Sequence, residues 1–357
     1  MSISSLVLLT VMSVVGETAP DDPLAASDVT WTSPSRDEQG SMPIGNGDLA
    51  ANVWWNAEGA LWMYISKSDA WDDNARLLKL GRIAITLDPQ PAVDGGFRQR
   101  LDLREGEIEC AIGPAAAPVT YRVRVDAERP VIVIEIETPE PSSVTASLEH
   151  WRTAPREVKE LSWSDVYCAE HNAPGVQPTV TAPDVVSPIV AGPLGAELLW
   201  HHFNERTPIP ATFRLQGLES LLAGYRDPIL HRAFGCAMTG PGLAARGDRA
   251  LRSAEPSRTH RIEVWADTRR DTTSDAFVDG LHAMVRRGAK DDAARALARH
   301  RRWWDSFWER SWIRIGENAT ARTYRLPDNA HPVRIGRDSK DGNRFRGAID
   351  NVLVYDR

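Results

Sequence analysis

Val119-Thr120-Tyr121-Arg122-Val123-Arg124-Val125 alternates apolar with polar or basic residues at every step. Successive side chains of a strand point to opposite faces, so this run has one apolar face and one charged face. Val131 to Glu137 repeats the theme, with Ile132, Ile134 and Ile136 on one face. Phe97-Arg98-Gln99-Arg100-Leu101-Asp102-Leu103 and Arg261-Ile262-Glu263-Val264-Trp265 do so again. From about Asp28 to Asp267 the pattern predicts half-buried strands of an antiparallel sheet. Short strands punctuated by Gly, Pro and Asp turns predict a mainly β fold, a large antiparallel β-sandwich, with residues 174–193 as a Pro- and Gly-rich irregular excursion.

The period then changes. Ser274 can cap a helix whose stripe is Phe277, Leu281 and Met284/Val285. A second helix, about Asp291 to Trp308, carries Ala293, Leu297, His300, Trp304 and Phe307/Trp308 on one face. Residues 316–330 are polar and turn-like, and Phe345 to Tyr355 returns to strand alternation. At the other end, Ser5 to Gly16 has the length and apolar character of a signal-peptide core, although the first basic residue is Arg36. The run is too short to span a bilayer, and no later stretch suits a membrane span. The expected organisation is a signal peptide at 1–16, a linker at 17–27, the sandwich at 28–270, a helical linker at 271–312 and a short β tail at 313–357. The expected location is secreted or periplasmic.

A formal net charge of -7 argues against nucleic-acid binding, which needs a basic surface to neutralise phosphates. Tryptophan is the commonest aromatic, with 13 against 7 Phe and 6 Tyr. An indole suits both core filling and stacking on the C–H face of a sugar. Trp54–Trp55 and Trp303–Trp304 are adjacent, so one member of each pair can point away from the core, and position alone does not tell which. Cys110, Cys168 and Cys236 form no metal-ligand spacing; one disulfide with one free thiol, or three buried thiols, are both open. Neighbouring His201 and His202 face opposite ways on a strand and cannot jointly hold a metal. Nucleotide-binding, zinc-protease and serine-hydrolase motifs are absent, so neither a metal nor a cofactor is expected.

Glycoside chemistry needs two carboxyl groups across the scissile bond. The densest local cluster is Ser66-Lys67-Ser68-Asp69-Ala70-Trp71-Asp72-Asp73-Asn74. Here Asp69 and Asp72 can grip sugar hydroxyls while Trp71 stacks on the ring. Equally, Ser68 or Asp69 can cap a short helix starting near Ala70, with the later aspartates favourable to its dipole. The most specific segment is Pro43-Ile44-Gly45-Asn46-Gly47-Asp48-Leu49, a tight turn whose glycines let backbone approach a ligand or another domain. A hairpin turn alone accounts for it as well. Asn46, Asp69, Trp71 and Asp72 are thus the candidate carbohydrate contacts, and no residue stands out as catalytic.

The stretch Met42 to Leu49, followed by a strand (Ala60 to Ser66) and Ser68-Asp69-Ala70-Trp71, resembles the start of the N-terminal β-sandwich of glycoside hydrolase family 95, which contains α-L-fucosidases. Together with Tyr64 to Trp71 and Leu78-Lys79-Leu80-Gly81-Arg82-Ile83, it resembles more closely a domain of unknown function, family 5703. Phe97 to Leu103, His231 to Cys236 and His300 to Ser311 fit as well, so the resemblance covers residues 28–315. It implies that the sandwich and linker helix precede an (α/α)6 barrel bearing the catalytic carboxylates. The 45 residues after Trp312 do not look like that barrel. Phe345-Arg346-Gly347-Ala348-Ile349-Asp350-Asn351-Val352-Leu353-Val354-Tyr355 is instead similar to the closing strands of a laminin-G-like, concanavalin-A-type jelly roll. The implied function is that of a glycoside-hydrolase-related, α-L-fucosidase-like protein keeping the non-catalytic head and inactive as this chain. Its partner would be an oligo- or polysaccharide. A carbohydrate-binding or adhesion module and a non-functional truncated product are the alternatives. Loss of a partner for the Trp-rich helix end would favour self-association.

Overall fold

The computed structural model describes residues 24–157, 180–270 and 273–310, with two short strands at 313–315 and 352–354. The expected leader at 1–16, Cys168, the start of the 174–193 excursion and most of the tail lie outside the described residues. The first strands are β1 (Val29–Trp31), β2 (Met42–Gly45), β3 (Leu49–Trp55), β4 (Leu61–Trp71), β5 (Leu77–Asp88), β6 (Phe97–Asp102) and β7 (Glu107–Ile112). Next come β8 (Val119–Val125), the 19-residue β9 (Val131–Glu149), and the short β10 (Arg156–Glu157), β11 (Val180–Thr181), β12 (Val185–Val186) and β13 (Val190–Ala191). β14 (Ala196–Phe203) leads through helix α1 (Ile209–Leu215) to β15 (Arg232–Thr239), β16 (Leu243–Ala245), β17 (Ala250–Ser253) and β18 (Ser257–Arg270). Helices α2 (Ser274–Gly288) and α3 (Ala293–Arg310) follow, and β19 (Ile313–Ile315) pairs antiparallel with β20 (Val352–Val354).

Sixteen strands form one continuous antiparallel sheet, in agreement with the mainly β expectation. It folds into two layers because β9 belongs to both. Val131 to Glu137 lies between β8 and β18, in the order β1-β6-β7-β8-β9-β18-β15-β14-β12. Ser143 to Glu149 instead pairs with β5, and Thr145 to Ser147 with β17, which joins β2-β3-β4-β5 to the same strand. Between the halves lie Pro139 and Pro141, which have no N–H to give a ladder and so allow the strand to change layers. Ile132, Ile134 and Ile136 from one half, and Val144, Ala146 and Leu148 from the other, enter a single core between the layers.

The central strands of the first sheet are buried on both faces, not one. Val131, Val133, Leu199, Ala233, Ala237 and Trp265 point away from the main core into a second cluster. Phe277, Leu281 and Val285 of α2 cover them, which is the stripe its spacing predicts. Its N-cap is Thr273, one residue before the expected Ser274: the Thr273 hydroxyl accepts the Ala276 N–H at 3.2 Å. Ser274 lies within the first turn, its Oγ 2.6 Å from His201 Nε2. In α3 the buried residues are Ala296 and His300; the expected stripe holds at His300, Trp304 and Trp308, whose indole donates to the Leu103 carbonyl at 2.7 Å, whereas Ala293 is exposed. His300 Nε2 donates to the Glu105 carbonyl at 2.8 Å and Nδ1 accepts the Ala127 N–H at 3.2 Å, pinning the helix across two turns of the first sheet. Burial holds this imidazole below its ordinary pKa, consistent with one nitrogen donating and the other accepting. Trp304 packs on Gly106, where an added Cβ would meet the indole nitrogen at 2.1 Å.

Trp55 lies in the core, edge-on to Tyr121 at 5.1 Å, and Trp54 on the outer face, which settles that pair. Cys110 and Cys236 are buried free thiols, and burial pushes both up in pKa. The later part of the excursion is not wholly irregular: β12 and β13 add to β14 as two-residue strands.

Candidate functional site

Hydrogen bonds gather the β2–β3 turn, the end of β4 and its hairpin to β5, and the segment leading into β15. Along β4 the core-facing positions are Leu61, Met63 and Ile65, and the next in the period is Lys67. An ammonium in that position must be paired. Lys67 Nζ is 2.7 Å from Asp48 Oδ1 and 2.9 Å from Asp69 Oδ1. Burial pulls the lysine pKa down, but the hydrogen bonds and charges of Asp48 and Asp69 outweigh it and hold it above its ordinary value. Ser68 Oγ donates to Asp48 at 3.1 Å, and Arg232 NH1 donates to the Asp69 carbonyl at 3.2 Å.

Asn46 builds the turn that carries Asp48. Its Oδ1 accepts the N–H groups of Asp48 (3.0 Å) and Leu49 (2.8 Å), and its Nδ2 donates to the Asp126 carbonyl at 2.8 Å. Gly47, at φ 91°, supplies the left-handed residue this Asx turn needs. The side chain is therefore occupied in placing Asp48.

No helix starts near Ala70; β4 runs on to Trp71, which pairs with Leu77. Asp72 closes that hairpin. Its Oδ1 accepts the Asn74 and Arg76 N–H groups at 3.0 and 2.8 Å, and its Oδ2 binds Arg76 through Nε (3.1 Å) and NH2 (2.7 Å). The i to i+4 carboxylate–guanidinium pair imitates a helical signature in the sequence, but pairing with β5 decides the local structure. Asp72 is fully buried and is a turn-former, not a surface contact. Trp71 is exposed, at 38%, and Asp69 is half-buried; the Trp71 carbonyl accepts from Asn204 Nδ2 at 2.9 Å.

Four participants were not singled out as contacts from the sequence: Asp48, Lys67 and Asp73, which lie in the quoted segments, and Arg232. For Lys67 the signal was present, as a lysine on the core parity of β4. Asp73 is buried behind the hairpin, and burial, then the charge of Asp72, push its pKa up to about 6 against the pull of His202 and Arg206. His202 Nδ1 is 3.1 Å from Asp184 Oδ1, and Asp184 is also held by Arg152 at 2.8 Å. His201 points the other way, beside Phe277, and burial lowers its pKa to about 4. Two non-glycine residues with left-handed backbone, Ala75 (φ 57°) and His231 (φ 62°), flank the site. Such conformations cost of order 1–3 kcal/mol and persist only where surroundings impose them. The exposed rim offers two carboxylates as hydroxyl acceptors and one indole plate. Among the described residues no three His, Cys, Asp or Glu side chains are grouped to hold a metal, and no helix is long and apolar enough to cross a membrane.

No curated protein matches the chain. Among solved structures it is similar to "Putative kojibiose phosphorylase from human microbiome", at 9% identity and a TM-score of 0.40, over 83% of this chain and 39% of that one. It is also similar to "Structure of the gh92 family glycosyl hydrolase ccman5", at 10% identity and a TM-score of 0.32, over 78% of this chain and 35% of that one. The chain thus spans less than half the length of either. The family model described as "Domain of unknown function (DUF5703)" matches residues 30–313, most of the sandwich and both long helices, and the chain belongs to that family.

Proposed function

We propose that this chain is the sugar-binding, non-catalytic β-sandwich of an exported carbohydrate-active protein related to α-L-fucosidase-like glycoside hydrolases. The observation that carries this reading is the half-exposed Trp71 indole on the strand that also presents the half-buried carboxylate of Asp69. An apolar plate beside hydrogen-bond acceptors matches the C–H face and hydroxyls of a pyranose. The chemistry of hydrolysis supports the non-catalytic part. Protonation of a leaving oxygen needs a reachable carboxylic acid with a raised pKa. Asp73 has the raised pKa but is buried, and Asp69 is reachable but ion-paired to Lys67. An intact core joining both layers counts against a decayed remnant of the sandwich.

Affinity electrophoresis in gels containing fucosylated xyloglucan or dextran tests the binding. The expected result is retardation by one of them, weakened at least fivefold in Trp71→Ala. Identical migration of the two proteins in both gels overturns the assignment of the rim. A p-nitrophenyl α-L-fucoside is expected to be hydrolysed at the blank rate, and release above it overturns the non-catalytic part. At the end of α3, Trp303, Trp304, Phe307 and Trp308 form a ring cluster with Phe307 exposed, so self-association through it belongs to the same reading. Light scattering at high concentration, giving a monomer mass, would count against that.

A further inference from the structure

The outer face of the second sheet carries aromatic rings with cations laid over them, away from the Asp69 rim. Period-two alternation places Trp54 of β3, Trp62 and Tyr64 of β4 and Arg82 of β5 on this face, opposite the core-facing Val53, Met63 and Ile83. Trp62 and Trp54 lie 6.2 Å apart at an interplanar angle of 13°; Trp54 is 5.4 Å from Tyr64, and Tyr64 is 5.9 Å from Trp151. The Arg82 guanidinium sits 4.6 Å above Trp62 and 5.5 Å from Tyr64, and Lys79 Nζ sits 4.3 Å above Tyr64. Arg152 lies 5.5 Å from the Trp151 ring and donates to the Lys79 carbonyl at 2.8 Å, and Trp151 and the Lys79 ammonium both lie against Tyr64.

The charges on this face are unequal. Glu149 is taken by Arg82 and the buried Asp184 by Arg152. Among the described residues no carboxylate lies within ion-pair distance of Lys79, and its neighbour Trp151 is 50% exposed. On a chain of net charge -7, an aromatic strip whose unmatched charge is positive runs against the average. Ring stacking and a fixed cation together recognise a ligand with a flat apolar face and a negative charge. An ammonium with no carboxylate partner among the described residues and a half-exposed indole, both against Tyr64, match one carboxylate per pyranose ring.

We infer that the outer face of the second sheet binds an acidic polysaccharide built of uronate units, through Lys79 and Trp151. This surface is separate from the Asp69–Trp71 rim, and either assignment can fail without the other. The test is affinity electrophoresis at low salt in gels holding polygalacturonate, dextran sulfate or dextran. The expected result is strongest retardation by polygalacturonate, weaker retardation by dextran sulfate and none by dextran. Lys79→Ala and Trp151→Ala are expected each to weaken the polygalacturonate effect about fivefold, and more together. Both side chains are solvent-facing, and a thermal melt checks that the variants fold. Arg122→Ala removes a positive charge from the other sheet's outer face and is expected to change nothing. Retardation by polygalacturonate unaltered in the double variant overturns the site. Dextran sulfate acting as strongly as polygalacturonate overturns the uronate assignment, and dextran acting equally overturns the role of charge.

Discussion

The two outer faces of this sandwich solve the same problem differently. On the first sheet, α2 seals one part with Phe277, Leu281 and Val285, and the part beyond it is a ladder of opposite charges. Arg124 lies between Glu135 at 2.7 Å and Glu107 at 3.4 Å, Arg122 binds Glu137 at 2.9 Å, and Arg261 binds Glu135 at 2.5 Å. Positive and negative groups are matched across neighbouring strands, which leaves little for a ligand to satisfy. On the second sheet the cations lie over rings, and among the described residues Lys79 has no carboxylate within ion-pair distance. A matched face is a structural surface; an unmatched one is available for recognition.

The contrast can be broken by substitution. Phe277→Ala removes the central plug of the sealed part and is expected to cost about 3–5 kcal/mol, read by urea unfolding. A loss below about 1 kcal/mol would mean that α2 is not integral to the first sheet. Arg124→Ala comes next. Its side chain is only 3% exposed, and its removal takes one of two cations from each of Glu107 and Glu135, leaving Arg122 and Arg261 to offset them, at about 2 kcal/mol. Arg82→Ala makes the same change on the other face, where Arg82 is 29% and Glu149 46% exposed, and is expected to cost under about 1 kcal/mol. Equal losses would erase the distinction between the faces.

A pH-dependent effect belongs to the β4–β5 hairpin. Asp73 has a pKa pushed up to about 6, so the folded protein holds its proton more tightly than the unfolded chain does. Its contribution to stability is therefore present at acid pH and is lost as pH rises through the folded value. Asp73→Asn removes the ionisation, so the variant should gain on the native protein between about pH 4 and 6 and level off above. The gain should reach about 3 kcal/mol, since the pKa stands about two units above its ordinary value and one unit corresponds to about 1.4 kcal/mol. Parallel stability curves for the two proteins would exclude Asp73 as the source. His201, held down to about 4, acts with the opposite sign, losing its contribution as pH falls.

Periodicity carried the architecture well, because alternation along β8 and β9 and the α2 stripe are local signals. It missed that Val131 and Val133 are also buried, since coverage by a helix more than a hundred residues later leaves no local trace. The site was read less completely. Trp71 and Asp69 fall on the rim, whereas Asp72 and Asn46 accept backbone N–H groups of their own turns. Asp and Asn serve turns and ligands with the same oxygens, so residue type alone does not separate the two roles. Trp54 and Trp55 could not be told apart because adjacent residues of a strand necessarily face opposite ways.

The layer change within β9 also bears on how the chain is made. Residues 42–149 contain the strands β2 to β5 and the half of β9 that joins them, so the second layer has these members once Glu149 has left the ribosome. The first half of β9 then has β8 on one side but waits for β18, whose Trp265 pairs with Val131. Until that later segment is synthesised, a strand bearing Ile132, Ile134 and Ile136 has an open hydrogen-bonding edge. Such an edge is a template for the wrong partner. Nascent chains halted between these points are the stage at which this protein is most in need of a chaperone.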